Sequence, residues 1–327
     1  MGLILVTTID VERPVGVGGA NRPDDVKTVQ ATLNQIHYLW GGTADQQLAV
    51  DGLVGPKTIK AIKRFQKRNF AWADGLVEPG KDTIQKMNQI NGGLVDIIVV
   101  EAAGVPDNGA IQESRDMWEG EMQVYSVGDM VSQTLTWLSL DPGKLIKTMT
   151  IIGHAGPGDQ RIGAGNGGFD GGFPSRSLTL TNIMLEVPDP GQSASPTLWG
   201  TAADELPLLA SSFAPDGLVI LGGCQIARNN FTYNQSGFAT GGPRTIDGQD
   251  LLRAVSAALG GNVRVEGGQI DQDSRRGIEG LCVRCNADSC VVGLGSSRFL
   301  EGPTDDFVPI PGPFGPGDFP GGNFNMA

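Results

Sequence analysis

The sequence predicts an α/β fold, with a mostly parallel sheet covered by helices on both faces and preceded by a small three-helix domain. Residues 20–92 carry apolar residues at helical spacing. Beyond residue 93, short β-branched apolar runs alternate with amphipathic segments, which is the pattern of buried parallel strands joined by helices. Because no apolar run reaches the roughly 20 residues needed to cross a bilayer, we expect no membrane span.

A change of composition at Gly92-Gly93 divides the chain. We predict four parts: an N-terminal extension (residues 1–19), an N-terminal module (20–92), an α/β domain (94–303) and a Pro/Gly-rich tail (304–327). The tail is expected to be extended, either as a disordered end or as an arm that docks elsewhere. An arm of this kind also makes an oligomer formed through the tail a candidate assembly.

The predicted helices of the module span residues 26–37, 57–69 and 82–90. In the first, the apolar positions repeat at helical spacing: Val26, Val29, Leu33 and Ile36. The third ends at Asn91-Gly-Gly, which is a helix stop signal. His37 lies at the end of the first helix, and we expect it to be structural.

Two connections in the module repeat one another. "DGLVGPKT" begins at Asp51 and "DGLVEPGKDT" begins at Asp74. In each, Asp-Gly predicts a turn, the aliphatic pair enters the core, and Thr58 or Thr83 caps the next helix. We name the two the first turn (residues 51–54) and the second turn (residues 74–77).

This doubled turn resembles the peptidoglycan-binding domain that is appended to bacterial wall hydrolases, over about residues 20–92. The resemblance implies a three-helix module that binds cell-wall glycopeptide. The alternative is a helical appendage or docking surface without wall binding.

The α/β domain is predicted to hold strands at 94–100, 122–127, 148–153, 217–222 and 262–266, and helices at 108–118, 129–138, 202–213 and 248–259. A Gly-rich loop is expected after the third of these strands. From Gly268 onward we expect irregular structure.

Two reactive side chains follow two of these strands. His154 comes after the strand at 148–153, and Cys224 comes after the strand at 217–222. If the strands are neighbours, the carboxyl ends bring an imidazole beside a thiol, as a cysteine nucleophile requires. Taken singly, His154 is equally interpreted as a strand-end histidine bonded to backbone, and Cys224 as a small buried hydrophobe.

Glycines surround both residues, so backbone N–H groups can approach a substrate carbonyl. The expected oxyanion hole uses the peptide N–H of Cys224 and one from Ala155 or Gly156. A Gly-rich stretch at 163–168 lacks dinucleotide spacing, and no Gly-Lys-Ser/Thr occurs. We therefore expect no nucleotide and no other cofactor.

The stretches "TMTIIGHAG" (148–156) and "GLVILGGCQIA" (217–227) resemble those of caspase-like cysteine peptidases, and more closely a bacterial caspase-like domain family of undefined function. The resemblance covers about residues 94–270 and implies a caspase-like sheet with catalytic His154 and Cys224. The chain departs from the pattern at Ala155, where the peptidases have glycine, and in a longer interval between the two catalytic residues. Acidic candidates for substrate binding are Asp159, Asp271 and Asp273, from their place in nearby loops.

The leading hypothesis is a cysteine endopeptidase directed to cell-wall or surface material by the module, with a peptide or protein substrate and peptidoglycan as a further candidate. An amidase acting on wall peptides uses the same dyad. The alternative is a catalytically inactive caspase-like fold that serves as a structural or interaction subunit of a bacterial or phage assembly.

Charge argues against nucleic acid as a partner. Residues 1–93 hold 11 Lys/Arg against 9 Asp/Glu, whereas residues 94–327 hold 13 against 27. An acidic main domain repels polyanions. The basic residues at 57–68 are interpreted as the solvated face of one helix, with a polyanion site as the alternative.

Three of the four cysteines are clustered: Cys282, Cys285 and Cys290. The cluster leaves three possibilities open, namely three zinc ligands, a local disulfide or unpaired thiols. No histidine lies near it in sequence, so we predict no metal site. The N-terminus lacks the basic region of a signal peptide, which predicts a cytoplasmic protein or export by another route.

Overall fold

The structure is a computed structural model, and it describes residues 8–70, 72–101, 122–124, 126–153, 155–156, 159–161, 177–179, 202–222, 226–227, 231–233, 244–246, 248–268, 278–297 and 308–309. Its α-helices are α1 (Pro23–Gln35), α2 (Pro56–Asn69), α3 (Asp82–Asn91), α4 (Val127–Leu140), α5 (Ala202–Glu205) and α6 (Gly248–Ala258). Among the described residues, two 3₁₀ helices span Tyr38–Trp40 and Leu206–Ser212.

The strands are β1 (Val15–Gly16), β2 (Leu76–Val77), β3 (Leu94–Glu101), β4 (Met122–Val124), β5 (Leu145–Ile152), β6 (Ala155–Gly156), β7 (Asp159–Arg161), β8 (Ser177–Thr179), β9 (Phe213–Gly222), β10 (Phe231–Tyr233), β11 (Arg244–Ile246), β12 (Arg264–Gly268), β13 (Ile278–Cys285), β14 (Cys290–Ser297) and β15 (Val308–Pro309). Within the described part of the chain, none of the helices has the length and apolar character needed to cross a bilayer.

The three predicted helices of the module are confirmed as α1, α2 and α3, with ends within a few residues of the prediction. The apolar stripe of α1 is buried as its spacing requires. His37 begins the 3₁₀ helix that follows, and its Nδ1 accepts the Leu39 N–H at 3.3 Å. Part of the N-terminal extension completes the module, since β1 pairs with β2 and Val15 is fully buried.

The first turn is held by a buried glutamine, Gln30 on α1. Its amide nitrogen donates to three acceptors: Asp51 Oδ1 at 2.9 Å, the Leu53 carbonyl at 3.1 Å and Thr58 Oγ1 at 3.2 Å. Its Oε1 accepts the Gly52 N–H at 3.1 Å. One side chain therefore bonds a backbone N–H and a backbone carbonyl inside the turn.

The second turn is held in the same way by Gln66 on α2. The amide nitrogen donates to Asp74 Oδ1 at 2.7 Å, the Leu76 carbonyl at 2.8 Å and Thr83 Oγ1 at 3.2 Å, and Oε1 accepts the Gly75 N–H at 2.7 Å. The glycine of each turn has a positive φ, +76° in the first and +80° in the second, which explains the repeated Asp-Gly. The sequence repeat is thus a repeat of one hydrogen-bond network.

The predicted capping role of Thr58 and Thr83 is wrong. The residues that precede α2 and α3 are Gly55 and Lys81, and neither helix has a side-chain cap. Both threonines lie within the first turn of their helix and are buried. Their hydroxyls instead accept hydrogen bonds from the side-chain amides of the two glutamines. Because these amides are buried, they need hydrogen-bond partners within the protein.

The module and the α/β domain are joined by a buried aromatic contact. Trp40, which is 1% exposed, donates its indole N–H to Asp141 Oδ2 at 2.9 Å and packs edge-on against Trp137. The Arg68 guanidinium lies 5.8 Å from one indole centre and 5.5 Å from the other. A second link is the partly buried ion pair between Lys86 on α3 and Asp96 on β3. The hydrophobic core is continuous across both parts.

The main sheet has eight strands in the order β15-β14-β13-β12-β9-β5-β3-β4. The five strands from β12 to β4 are parallel, and the remaining three are antiparallel. The predicted mostly parallel sheet, and with it the α/β class, is confirmed.

Helices α4 and α6 pack on the same face of this sheet. One cross-strand row runs through paired residues that share a face: Met122, Val99, Ile151, Leu221 and Gly267. At one end of the row Met122 contacts Thr134 of α4, and at the other a Cβ on Gly267 would lie 3.2 Å from Leu252 of α6. The helix predicted at 108–118 lies outside the described residues.

Three predicted elements differ from those in the structure, either in where they end or in what they form. The strand predicted at 122–127 stops at Val124, because Ser126 caps α4 by accepting the Asp129 N–H at 3.0 Å. The helix predicted at 202–213 is α5 followed by a 3₁₀ helix, since Pro207 cannot continue the α-helical ladder. The segment after β5 is not only a Gly-rich loop, because β6, β7 and β8 form a small antiparallel sheet there.

The prediction of irregular structure from Gly268 onward is wrong. Residues 278–297 form the hairpin of β13 and β14, and β15 from the tail pairs with β14. The hairpin turns at residues 286–289, where Asn286 accepts the N–H groups of Asp288 and Ser289. Sequence inspection missed the strands because glycine and serine interrupt their apolar pattern.

Gln66→Met should lower the free energy of unfolding by about 2–4 kcal/mol, because it leaves the buried N–H and carbonyl of the second turn without a partner. Denaturant unfolding measures the change. Gln47→Met, on an exposed glutamine, should stay within about 0.5 kcal/mol of the parent. Equal effects of the two changes would contradict the role of the network.

Trp40→Ala should lower the free energy of unfolding by about 3–5 kcal/mol, because it empties the buried joint between the two parts. The matched control is Tyr38→Ala on the same 3₁₀ helix, whose side chain is 44% exposed. Thermal unfolding of the full chain compares the two. A loss no greater for Trp40 than for Tyr38 would show that the joint contributes little.

Candidate active site

The two strands that lead to His154 and Cys224 are neighbours. β5 and β9 pair in parallel, with Ile152 opposite Gly222 at the last paired position. Each candidate residue follows its strand's last paired residue by two positions in sequence. The condition that the sequence left open, adjacency of these strands, is therefore met.

The strand order places these ends where open α/β sheets bind ligands. If the five parallel strands are numbered in chain order, their order across the sheet is 2-1-3-4-5, where β5 is strand 3 and β9 is strand 4. The order reverses between β3 and β5, and crevices form beyond the carboxyl ends at such a point. The end of β5 borders this point.

His154 and Cys224 themselves lie outside the described residues, as do Asp271 and Asp273. Of the remaining candidates, Ala155 and Gly156 form β6, which pairs with β7. Gly156 lies opposite Asp159 in this pairing. The backbone proposed for the oxyanion hole is thus part of a strand pair and not an open loop.

The chain just after Cys224 is anchored to the end of β12. Ile226 and Ala227 are fully buried, and the Ala227 N–H donates to the Gly268 carbonyl at 3.0 Å. A Cβ on Gly267 would lie 2.5 Å from the Ile226 side chain, and a Cβ on Gly248 would lie 2.2 Å from the Ile226 carbonyl. Both positions therefore require glycine.

Sequence analysis did not identify these positioning glycines. The signals were present as Glu266-Gly-Gly at the end of a strand and Asp247-Gly at the start of a helix. A glycine at either place indicates close approach of another segment, but the sequence does not say which segment approaches.

A buried ion pair lies on the opposite face of the sheet from α6. Glu266 is 0% exposed and accepts from Arg284 Nε at 2.9 Å and Nη2 at 2.6 Å. The two residues are directly opposed on β12 and β13. Two hydrogen bonds accompany the charge pair, and they offset part of the free-energy cost of removing both ions from water.

Cys282 is the thiol next to this pair. Burial and the adjacent Glu266 carboxylate raise its pKa well above the usual range of a thiol. Its thiolate, the nucleophilic form, is therefore disfavoured at neutral pH.

Of the three possibilities for the cysteine cluster, the structure realises a disulfide between Cys285 and Cys290 and leaves Cys282 as a thiol. The disulfide removes two of the three potential zinc ligands. Among the residues that the structure describes, no group of three His, Cys, Asp or Glu is placed to hold a metal ion.

Comparison with known proteins bears on the module. Residues 22–87 match the family described as "Putative peptidoglycan binding domain". The chain carries a peptidoglycan-binding domain. The match covers α1 and α2 completely, the first six residues of α3, and both glutamine-held turns. No curated protein and no solved structure matches the chain.

Arg284→Ala should lower the free energy of unfolding by about 3–5 kcal/mol, because it leaves the Glu266 carboxylate buried without its cation. Chemical denaturation measures the loss. Arg253→Ala, which breaks a half-exposed ion pair with Asp250, should cost less than about 1 kcal/mol. Replacing both buried partners, as Glu266→Gln with Arg284→Met, should recover most of the loss. Failure of the double variant to recover any of it would contradict this account.

Proposed function

We propose that the chain is a cysteine peptidase-like hydrolase that acts on peptide bonds near the bacterial cell wall. Cys224 is the nucleophile, His154 is the general base and acid, and backbone N–H groups of Cys224 and of Ala155 or Gly156 form the oxyanion hole. The observation that carries the proposal is the pairing of Ile152 with Gly222.

The pairing supports the dyad for a geometric reason. Neighbouring strands lie about 4.8 Å apart, and both candidate residues follow the paired position by the same number of residues. A base must come within hydrogen-bond reach of the thiol, and two equal two-residue steps from one register point make that reach attainable. In the sequence, one glycine, Gly153 or Gly223, separates each strand from its candidate residue.

In the proposed reaction, His154 takes the proton of the Cys224 thiol and the thiolate sulfur bonds to the substrate carbonyl carbon. The carbonyl oxygen becomes an oxyanion held by the backbone N–H groups. The C–N bond then breaks, and the amine leaves with the proton from His154. Water, deprotonated by the same imidazole, hydrolyses the thioester and regenerates the thiol.

The N-terminal module supports a location at the cell wall. The match to peptidoglycan-binding domains and the buried joint at Trp40 support a hydrolase held rigidly beside wall material. The disulfide between Cys285 and Cys290 supports an exported protein, because such bonds persist in oxidising compartments. Peptide crosslinks of the wall and surface proteins are the substrate classes this location offers.

One observation favours a second candidate, a non-catalytic interaction subunit with the same fold. Ala155 and Gly156 are paired with β7, and Ala155 stands where caspase-like peptidases carry glycine. A paired backbone has fewer N–H groups to offer to an oxyanion. In this alternative the module still binds the wall and the α/β domain binds a partner.

Thiol labelling distinguishes the two candidates. With Cys285 and Cys290 in a disulfide and the Cys282 thiol buried with a raised pKa, iodoacetamide at neutral pH should modify Cys224 of the native chain first. His154→Ala should slow this labelling by about tenfold or more, because the imidazole no longer favours the thiolate.

Cys282→Ala is the matched control and should leave the labelling rate of the remaining thiol unchanged. The dyad is excluded if Cys224 reacts no faster than Cys282 and His154→Ala does not alter its rate. A peptide library incubated with the full chain then reports whether a labelled dyad is also active.

A further inference from the structure

The two turns of the module differ in what covers them. The second turn is covered by β1: Gly16 pairs with Leu76, and the Val17 N–H donates to the Gly75 carbonyl at 2.9 Å. Asn21 holds β1 in place, since its side chain bonds both the N–H and the carbonyl of Gly16. A short extended segment thus completes the second turn.

The first turn has the same internal network, and within the described residues no strand pairs with it. Leu53, the counterpart of Leu76, is 68% exposed, and the preceding Val50 is 49% exposed. Gly52 is buried against the start of α1, whereas no hydrogen bond between described residues reaches the Val54 N–H. The first turn therefore presents an apolar side chain beside a backbone N–H that has no partner within the described chain.

Internal symmetry indicates what fits this surface. Because β1 occupies the equivalent surface as two extended residues, the first turn has the shape to take a short extended peptide through backbone pairing. Lys57 lies three residues after the turn and is exposed, as is Lys60 on the same helix. This charge favours a peptide that carries carboxylates.

The Asp51 carboxylate is held inside the turn but stays charged. It accepts from Gln30 and from the Leu53 N–H, and these bonds lower its pKa. The attraction of the lysines for a carboxylate must therefore exceed the repulsion from Asp51.

We infer that the first turn binds the peptide stem of peptidoglycan, a short extended peptide with methyl side chains and free carboxylates. Leu53 and Val50 contact the methyl groups, the backbone of the turn pairs with the stem, and Lys57 attracts the carboxylates. The inference rests on the proposed wall binding and adds which part of the polymer is recognised, the peptide and not the glycan.

The test uses the full chain, purified peptidoglycan sacculi and two soluble competitors, namely the stem peptides and the glycan strands that an amidase releases from the same sacculi. The parent should sediment with sacculi, and the stem peptides should compete for it while the glycan strands should not. Leu53→Glu should weaken sedimentation by about tenfold or more, because it removes apolar contact and adds a repelling charge. Leu208→Glu is the matched control: this leucine is 59% exposed on the α/β domain, and its replacement should leave binding unchanged.

The outcomes separate the inference from the proposed function. If the parent does not sediment with sacculi, wall binding itself fails, and the stem site fails with it. If the glycan strands compete and the stem peptides do not, and Leu53→Glu sediments as the parent does, the wall is bound elsewhere and only the stem site is overturned. If Leu53→Glu leaves sedimentation unchanged but alters the mass measured by light scattering, the first turn binds a second copy instead. Unchanged thermal unfolding of Leu53→Glu, expected for an exposed site, excludes misfolding as the cause of lost binding.

Discussion

The parallel pairing of β5 with β9 is the constraint on which the α/β domain depends. These strands are the centre of the parallel sheet, with β3 on one side and β12 on the other. Parallel strands cannot be joined by a tight turn, so the chain between them must leave and return. That requirement separates His154 from Cys224 by 70 residues in sequence while bringing the strands that precede them together.

The same pairing decides where glycine is needed. Beyond Gly222 the chain passes over the end of β12, and side chains at 248 and 267 would collide with Ile226. The helix α6 begins and β12 ends at those residues. The region around the candidate nucleophile is therefore supported by three elements that approach closely only because two of their residues lack a Cβ.

The module depends on a smaller constraint, the need to satisfy buried backbone in two turns. One glutamine does this for each turn, although Gln30 is 21 residues before its aspartate and Gln66 is 8 before its own. The longer interval contains the 3₁₀ helix with Trp40, which forms the joint with the α/β domain. An insertion that breaks the symmetry of the repeat thus also provides the contact between the two parts.

Much of the secondary structure was predictable, because the apolar residues of α1 and β5 follow helical and buried-strand patterns closely. The hairpin of β13 and β14 was not, since its strands are interrupted by glycine and their burial depends on β12. The ion pair of Glu266 with Arg284 was also hidden, because the two residues are 18 apart and only strand pairing opposes them. The segment proposed for the oxyanion hole was predicted as a loop, because the stretch Ala155-Gly-Pro-Gly carries no strand pattern that would reveal the pairing of β6 with β7.

The sequence by itself determined the division into a helical module and an α/β domain, the repeated turn, and the two residues proposed for catalysis. Local spacing is enough for such features, because they depend on neighbours along the chain. The tertiary structure alone decided that β5 and β9 are adjacent, that Cys285 and not Cys282 is bonded to Cys290, and that β1 pairs with one of the two equivalent turns. Each of these depends on contacts between distant segments, which no local pattern encodes.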